Sequence, residues 1–202
     1  MAEEQKTKLC KQYFRHHPDT KINSKYKVVE IETCEADDII ATLVQKYSAT
    51  QKIMILSSDK DFAQLQRYPN VEQFSPILKK FIKEPFPLAQ LKQLIIRGDK
   101  GDGVPNILSA DNCIVEGTRQ KPITEAKIIV WMNQEPKEFC NEEMLRNFSR
   151  NETMIDLTKI PEGLKEKILD TYDEAKGNSR QKFMNYMIAN RLKNLIEVID
   201  EF

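Results

Sequence analysis

Residues 35–62, EADDIIATLVQKYSATQKIMILSSDKDF, decide how the chain is read. From Asp37 to Tyr47 the residues Ile39, Ile40, Leu43, Val44 and Tyr47 recur at helical spacing, and Ile53-Met54-Ile55-Leu56 is a short apolar run of the buried-strand kind. Just upstream, Val28-Val29-Glu30-Ile31-Glu32 alternates as a strand does. Strand, helix and strand in that order predict a unit that builds a parallel sheet. Val71-Glu72-Gln73-Phe74 and Lys80-Phe81-Ile82 predict two further strands, with Ser75 and Pro76 turning between them.

From Leu88 the pattern becomes helical, through Leu91, Leu94, Ile95 and Ile96, and stops at Gly98. Beyond Pro105 no further strand is predicted; Glu125 to Met132, Lys137 to Phe148, Glu162 to Tyr172 and Gln181 to Val198 all read as helices, with Thr158 and Pro161 opening the third and Gly177-Asn178-Ser179 turning before the last. The expected fold class is therefore α/β, a mostly parallel sheet with flanking helices, followed by an all-helical carboxyl-terminal part. Three segments are expected: 1–27, a charged helix over Lys6 to His16 and a loop; 28–103, an α/β metal-binding core; and 104–202, a helical portion.

Seven carboxylates fall at the ends of these elements: Glu35, Asp37 and Asp38 after the first strand, Asp59 and Asp61 after the second, and Asp99 and Asp102 after the helix that ends at Gly98. In open α/β sheets ligands collect beyond the carboxyl ends of the strands. Anions gathered there repel unless cations bind between them, and oxygen ligands suit hard divalent ions, Mg²⁺ above all. Each cluster alone has a plainer reading. Asp59 and Asp61 would cap a helix beginning near Phe62, Glu35, Asp37 and Asp38 would be first-turn residues, and Asp99 and Asp102 would be turn residues around Gly101 and Gly103. The conjunction of three favours the metal site. An EF-hand is a poor alternative, because neither D-K-D-F nor D-K-G-D has that loop's alternating oxygens and terminal Glu. Nucleophilic Ser or Cys catalysis lacks a base, since no His follows residue 17.

Composition bounds the remainder. The 202 residues suit one ordinary domain, or one with a small appendage. No apolar run is long enough to span a bilayer and M-A-E-E-Q-K-T-K has no signal-peptide core, so a cytoplasmic protein with no membrane partner is expected. Cys10, Cys34, Cys113 and Cys140 show no zinc spacing and read as free thiols, and His16-His17 before Pro18 as a solvated turn. The 31 basic and 31 acidic residues cancel, but not evenly: residues 29–75 carry four bases and eight acids, and residues 76–132 nine and six. Metal neutralisation of the acids would leave a positive rim suited to a phosphate backbone.

The ordered series E-A-D-D-I-I, S-S-D-x-D-F-x-Q-L and G-D-x-x-D-x-V-P resembles the 5′ nucleases, or flap endonucleases, and within them the T-even bacteriophage ribonuclease H subgroup, from about Val28 through D-F-A-Q-L-Q-R-Y-P-N-V to the closing I-D-E-F. The resemblance implies a two-metal site for Mg²⁺, with Mn²⁺ as a substitute. Glu35, Asp37, Asp59 and Asp61 would be catalytic and hold the ions directly or through water, and Asp38, Asp99 and Asp102 would complete the coordination. It implies hydrolysis of DNA or RNA·DNA hybrid to products with 5′ phosphates, in the removal of RNA primers and flaps during phage replication. It further implies a helix, three-turn, helix element on duplex phosphates, for which Asn106, Thr118, Arg119, Lys121, Thr124 and Lys127 are the candidates.

Two departures from the family pattern accompany this. The stretch from Ser109 to Pro122 is longer than the compact glycine motif usual there and holds only Gly117. Family members also begin with an apolar strand bearing two further Asp ligands and a helical arch, and residues 1–27 do not read as these. The expectation is a split or truncated nuclease, completed by another polypeptide that supplies the strand and arch, with replication proteins as further partners, or a chain that binds nucleic acid without cutting it. A Mg²⁺-binding phosphate-transfer receiver is the reading from outside nucleases, and it would leave Asp99 and Asp102 unexplained. The stripe of Leu192, Leu195, Ile196, Val198 and Ile199 near the carboxyl end reads as core packing.

Overall fold

The computed structural model describes residues 26–177 and 179–197. The expected helix over Lys6 to His16, the His16-His17 turn, Cys10, Asn178 of the expected turn, and Val198 and Ile199 of the terminal stripe lie outside the described residues. The chain divides into two compact units. One is Ala36–Glu162; the other joins the described residues up to Glu35 with those from Gly163 onward.

In the first unit, α1 (Ala36–Tyr47) forms where the apolar spacing placed it, with Asp37 and Asp38 in its first turn and Lys46 in its last, the order that complements the helix dipole. It buries Ala41, Thr42 and Val44. β1 (Ile53–Leu56), β2 (Val71–Ser75) and β3 (Lys80–Ile82) form a sheet in that order. β1 and β2 run parallel, Ile53 opposite Val71 and Leu56 opposite Phe74, and a 3₁₀ helix (Asp61–Arg67) lies in the crossover between them. β2 and β3 pair antiparallel, with Phe74 and Phe81 packed edge to face at 5.2 Å. The sheet is thus mixed, half of its pairing being the expected parallel kind.

The following helices are α2 (Pro87–Arg97), α3 (Glu125–Met132), α4 (Pro136–Phe139) and α5 (Glu142–Ile155). Leu91, Ile95 and Ile96 of α2 build the core with Val104, Ile107, Ile128, Phe148 and Ile155. The expected single helix from Lys137 to Phe148 is two. Asn141 interrupts it, because its side chain accepts the Met144 amide at 2.9 Å and so starts α5 afresh.

The second unit contains α6 (Glu162–Glu174), α7 (Arg180–Ala189) and α8 (Lys193–Ile196). The helix expected from Gln181 to Val198 is broken at Asn190 and Arg191, the latter at φ +55°, with the Leu192 amide donating back to the Met187 carbonyl. Phe183 and Met187 form the buried centre of a small cluster there, with Leu192 and Ile196 packed on it. The expected strand Val28–Glu32 is not one: it joins no ladder among the described residues. Alternation makes a strand only where a partner edge accepts it. Here Lys27 is instead fastened to α6, donating to the Tyr172 carbonyl at 2.8 Å and lying 4.2 Å from its ring, and the chain turns at Thr33 (φ +66°), where the Cys34 amide reaches the Ile31 carbonyl. Among the described residues no helix is long and apolar enough to cross a membrane.

Candidate metal centre

Two loops make the site, and each is held by buried polar side chains. The first leaves the end of β1 as Ser57-Ser58-Asp59-Lys60 and enters the 3₁₀ helix at Asp61. Gln73, fully buried on β2, donates its amide to the carbonyls of Ser57 (3.0 Å) and Asp59 (2.6 Å). The hydroxyls of Ser58 and Ser75 meet at 2.8 Å. The Ser57 hydroxyl accepts the Asp59 amide (3.1 Å), and Asp59 Oδ1 accepts the Asp61 amide (3.0 Å), a side-chain turn at the entrance to the 3₁₀ helix, whose N-cap residue is Lys60 and has no side-chain capping bond. Gln64, also buried, ties the 3₁₀ helix to the end of α5 through the Ile155 carbonyl and the Leu157 amide, both at 3.0 Å.

The second loop leaves α2 through Gly98 at φ +70°, where a Cβ would stand 2.4 Å from the Val104 carbonyl oxygen; only glycine permits that approach. Asp99 and Val104 then pair as an antiparallel bridge, with the Val104 amide 2.7 Å from the Asp99 carbonyl. Asp99 Oδ1 accepts the Gly101 amide at 2.8 Å. From α5, fully buried Asn151 donates to the carbonyls of Ile95 (2.8 Å) and Pro105 (2.9 Å), and Arg150 donates to Pro105 at 3.0 Å. Asn147, one turn earlier and equally buried, donates to Ile107 and Ser109.

These loops bring Asp61, Asp99 and Asp102 together, with one carboxylate oxygen from each lying within 4.8 Å of the others. Burial, reinforced by the charges of Asp59, Asp99 and Asp102, pushes the Asp61 carboxyl up to about 6 against the opposing pull of Lys60. Asp99 is held below the usual carboxylate range by its hydrogen bond from Lys60 Nζ, at 2.6 Å, and by the Gly101 amide, although burial opposes both. Asp61 Oδ1 is buried and has no hydrogen-bond partner. An orphaned carboxylate oxygen beside two further carboxylates fits a hard cation, which would satisfy all three. Asp61, Asp99 and Asp102 would hold it. Such an ion lowers the pKa of bound water and stabilises charge on a leaving oxygen.

The other carboxylates take different places. Asp59 is exposed and adjoins the group through the Asp61 amide. Asp37 and Asp38 sit half-buried in the first turn of α1, and Glu35 is exposed at the end of its own unit; none of these four belongs to the group at ligand spacing.

Of the residues considered for a duplex, Asn106 is buried and its side chain is committed inward. It donates to the Lys121 carbonyl (2.8 Å) and accepts from the Leu108 amide (3.0 Å) and the Ser109 hydroxyl (2.9 Å), so it shapes the loop. Thr124 caps α3 by accepting the Lys127 amide, and the Thr118 hydroxyl donates to the Cys113 carbonyl. Arg119, Lys121 and Lys127 are exposed cations on this stretch. Two arginines of α5, Arg146 and Arg150, both pair with Asp111 and fasten the long segment from behind.

Sequence reasoning passed over Lys60, Gln64, Gln73, Asn147 and Asn151. The signal was a polar residue at an apolar register: Gln73 inside a strand, and Asn147 and Asn151 four apart on a core-facing helix stripe.

Comparison with known proteins bears on the family and the fold. A family model described as the 5′-3′ exonuclease N-terminal, resolvase-like domain matches residues 5–92. The ribonuclease H of Enterobacteria phage T4 is 34% identical over 185 residues, which cover 88% of this chain and 61% of that protein, so the chain spans about three-fifths of that relative's length. A solved structure of the T5 D15 protein, co-crystallised with metal ions, superposes with a TM-score of 0.52 at 18% identity, covering 84% of this chain and 72% of that one, a likeness of fold. The model described as T4 RNase H, C terminal, matches residues 88–202, more than half of the chain, and with that match the chain belongs to the T4 RNase H family.

Proposed function

We propose that this chain is a Mg²⁺-dependent 5′ to 3′ nuclease of the ribonuclease H and flap endonuclease kind, acting on RNA·DNA hybrid and 5′ flaps in phage DNA replication. The observation that carries this reading is the convergence of Asp61, Asp99 and Asp102 on one point with an unpartnered buried oxygen at Asp61. Family membership and the likeness to the phage T4 ribonuclease H support it. Asp59, Asp37 and Asp38 would serve a second ion through water, and Glu35 is counted with them on the family resemblance alone. Arg119, Lys121 and Lys127 would contact duplex phosphates, with Thr118 and Thr124 ordering the backbone that presents them. Asn106 would act through the loop it shapes.

Binding without cleavage is the second reading, favoured by three carboxylates rather than seven meeting at ligand spacing. One experiment separates the two: digestion of a 5′-labelled flap and of an RNA·DNA hybrid with Mg²⁺, beside an Asp61→Asn/Asp99→Asn control. Short 5′-labelled products from the wild-type chain alone support the nuclease. Retention of both substrates in a mobility shift without cleavage supports the binder.

A further inference from the structure

Lys60 stands between Asp59 and Asp61, yet its ammonium does not pair with either. It crosses to the other loop and donates to Asp99 Oδ2 at 2.6 Å. The two partners are unequal. The Asp99 side chain is only 7% exposed and is fixed by the Gly101 amide, whereas the Lys60 side chain is 63% exposed on a flexible stem. A buried carboxylate is stabilised by a cation, and here an exposed one from the neighbouring loop supplies it.

We infer that Lys60 is an internal counter-cation that competes with the divalent ion for Asp99 and thereby sets the affinity of the centre. An ion entering among Asp61, Asp99 and Asp102 takes Asp99 Oδ2 from the ammonium, and Lys60 turns outward, which its exposure allows without disturbing the core. The cost of that exchange weakens metal binding. It would be absent with an uncharged residue at position 60. This rests on the metal reading of the site, and the test keeps the two apart.

The measurement is Mn²⁺ binding to the full chain, read from the electron paramagnetic resonance of the free ion, for wild type, Lys60→Met, Asp99→Asn, the double variant and Asp61→Asn. Lys60→Met is expected to bind Mn²⁺ about three- to tenfold more tightly, the range for a charged hydrogen bond with one buried partner. With Asp99→Asn as background, the same change should have little effect. Unchanged or weaker binding by Lys60→Met, while Asp61→Asn still lowers affinity, would overturn the role of Lys60 and leave the metal site standing. Binding that is equally feeble in wild type and Asp61→Asn would overturn both.

Discussion

The two loops of the candidate metal centre solve the same problem by opposite means. Ser57–Asp61 is fastened by side-chain amides reaching across from the sheet, chiefly Gln73, while Asp99–Val104 is fastened by backbone pairing and by α5 gripping the carbonyls behind it. Their key acids differ in the same way. Asp61 has an orphaned oxygen and a carboxyl pushed up to about 6; Asp99 has every advantage of hydrogen bonding and is held below the ordinary range. The cation that satisfies the second loop belongs to the first. A site of like charges is therefore tolerable without an ion because one loop lends its countercharge to the other, and Asp61 is the member that would gain most from one.

The sharpest break of that comparison is removal of either acid. Asp61→Asn and Asp99→Asn should each lower Mg²⁺-dependent cleavage of a 5′-labelled hybrid at least ~100-fold, since losing a direct ligand should exceed the loss known for outer partners of a metal site. Cleavage that survives Asp99→Asn would mean the two loops are not one centre. Next in size, Gly98→Ala should destabilise the chain by about 3 kcal/mol in urea unfolding, because a Cβ there meets two backbone groups at a positive φ. No comparable site exists in the first loop, so Ser57→Ala should cost well under that.

Smaller, and aimed at the two modes of fastening, are Gln73→Met and Asn151→Leu. Gln73→Met leaves two carbonyls without that donor and should cost about 2 kcal/mol, whereas Asn151→Leu strips only the Ile95 carbonyl, Arg150 still donating to Pro105, and should cost about 1 kcal/mol. Gln73→Met should in addition weaken Mn²⁺ binding through Asp61 without altering the Asp99 loop. The smallest effect separates the acids by pH. In metal-free buffer, an acid whose folded pKa lies above its unfolded one stabilises the fold at low pH and loses that contribution as pH rises from about 4 through about 6. Asp61→Asn should therefore gain stability over wild type at pH 8 relative to pH 4, by about 1 kcal/mol after allowance for solvent screening. Asp99 runs the other way, its contribution being present above its ordinary value and lost as pH falls below it. Melting curves of both variants across that range read the two signs.

Much of this was legible in the residues. The spacing from Asp37 to Phe62 placed α1, β1 and the turn into the 3₁₀ helix, and Gly98 marked the end of α2. Three of the seven carboxylates met where strand and helix ends put them. What the pattern missed were effects at a distance. The alternation of Val28–Glu32 says nothing about whether an edge is present to pair with it, and Lys27 found α6 instead. Helix breaks at Asn141 and Arg191 depend on capping by single residues that an apolar stripe runs straight through. Gln73, Asn147 and Asn151 act on backbone atoms remote in sequence, and Asn106, plausible as a phosphate ligand by type and place, spends its side chain on its own loop.

At Gly98 one strand of main chain rests directly against another, with no side chain between them. The approach of these two backbones is thus set by bond lengths and atomic radii, which do not drift as core residues are exchanged. Tuning of the proposed ion site by substitution is easier at Lys60, on its surface-exposed stem, than at this contact of backbone on backbone.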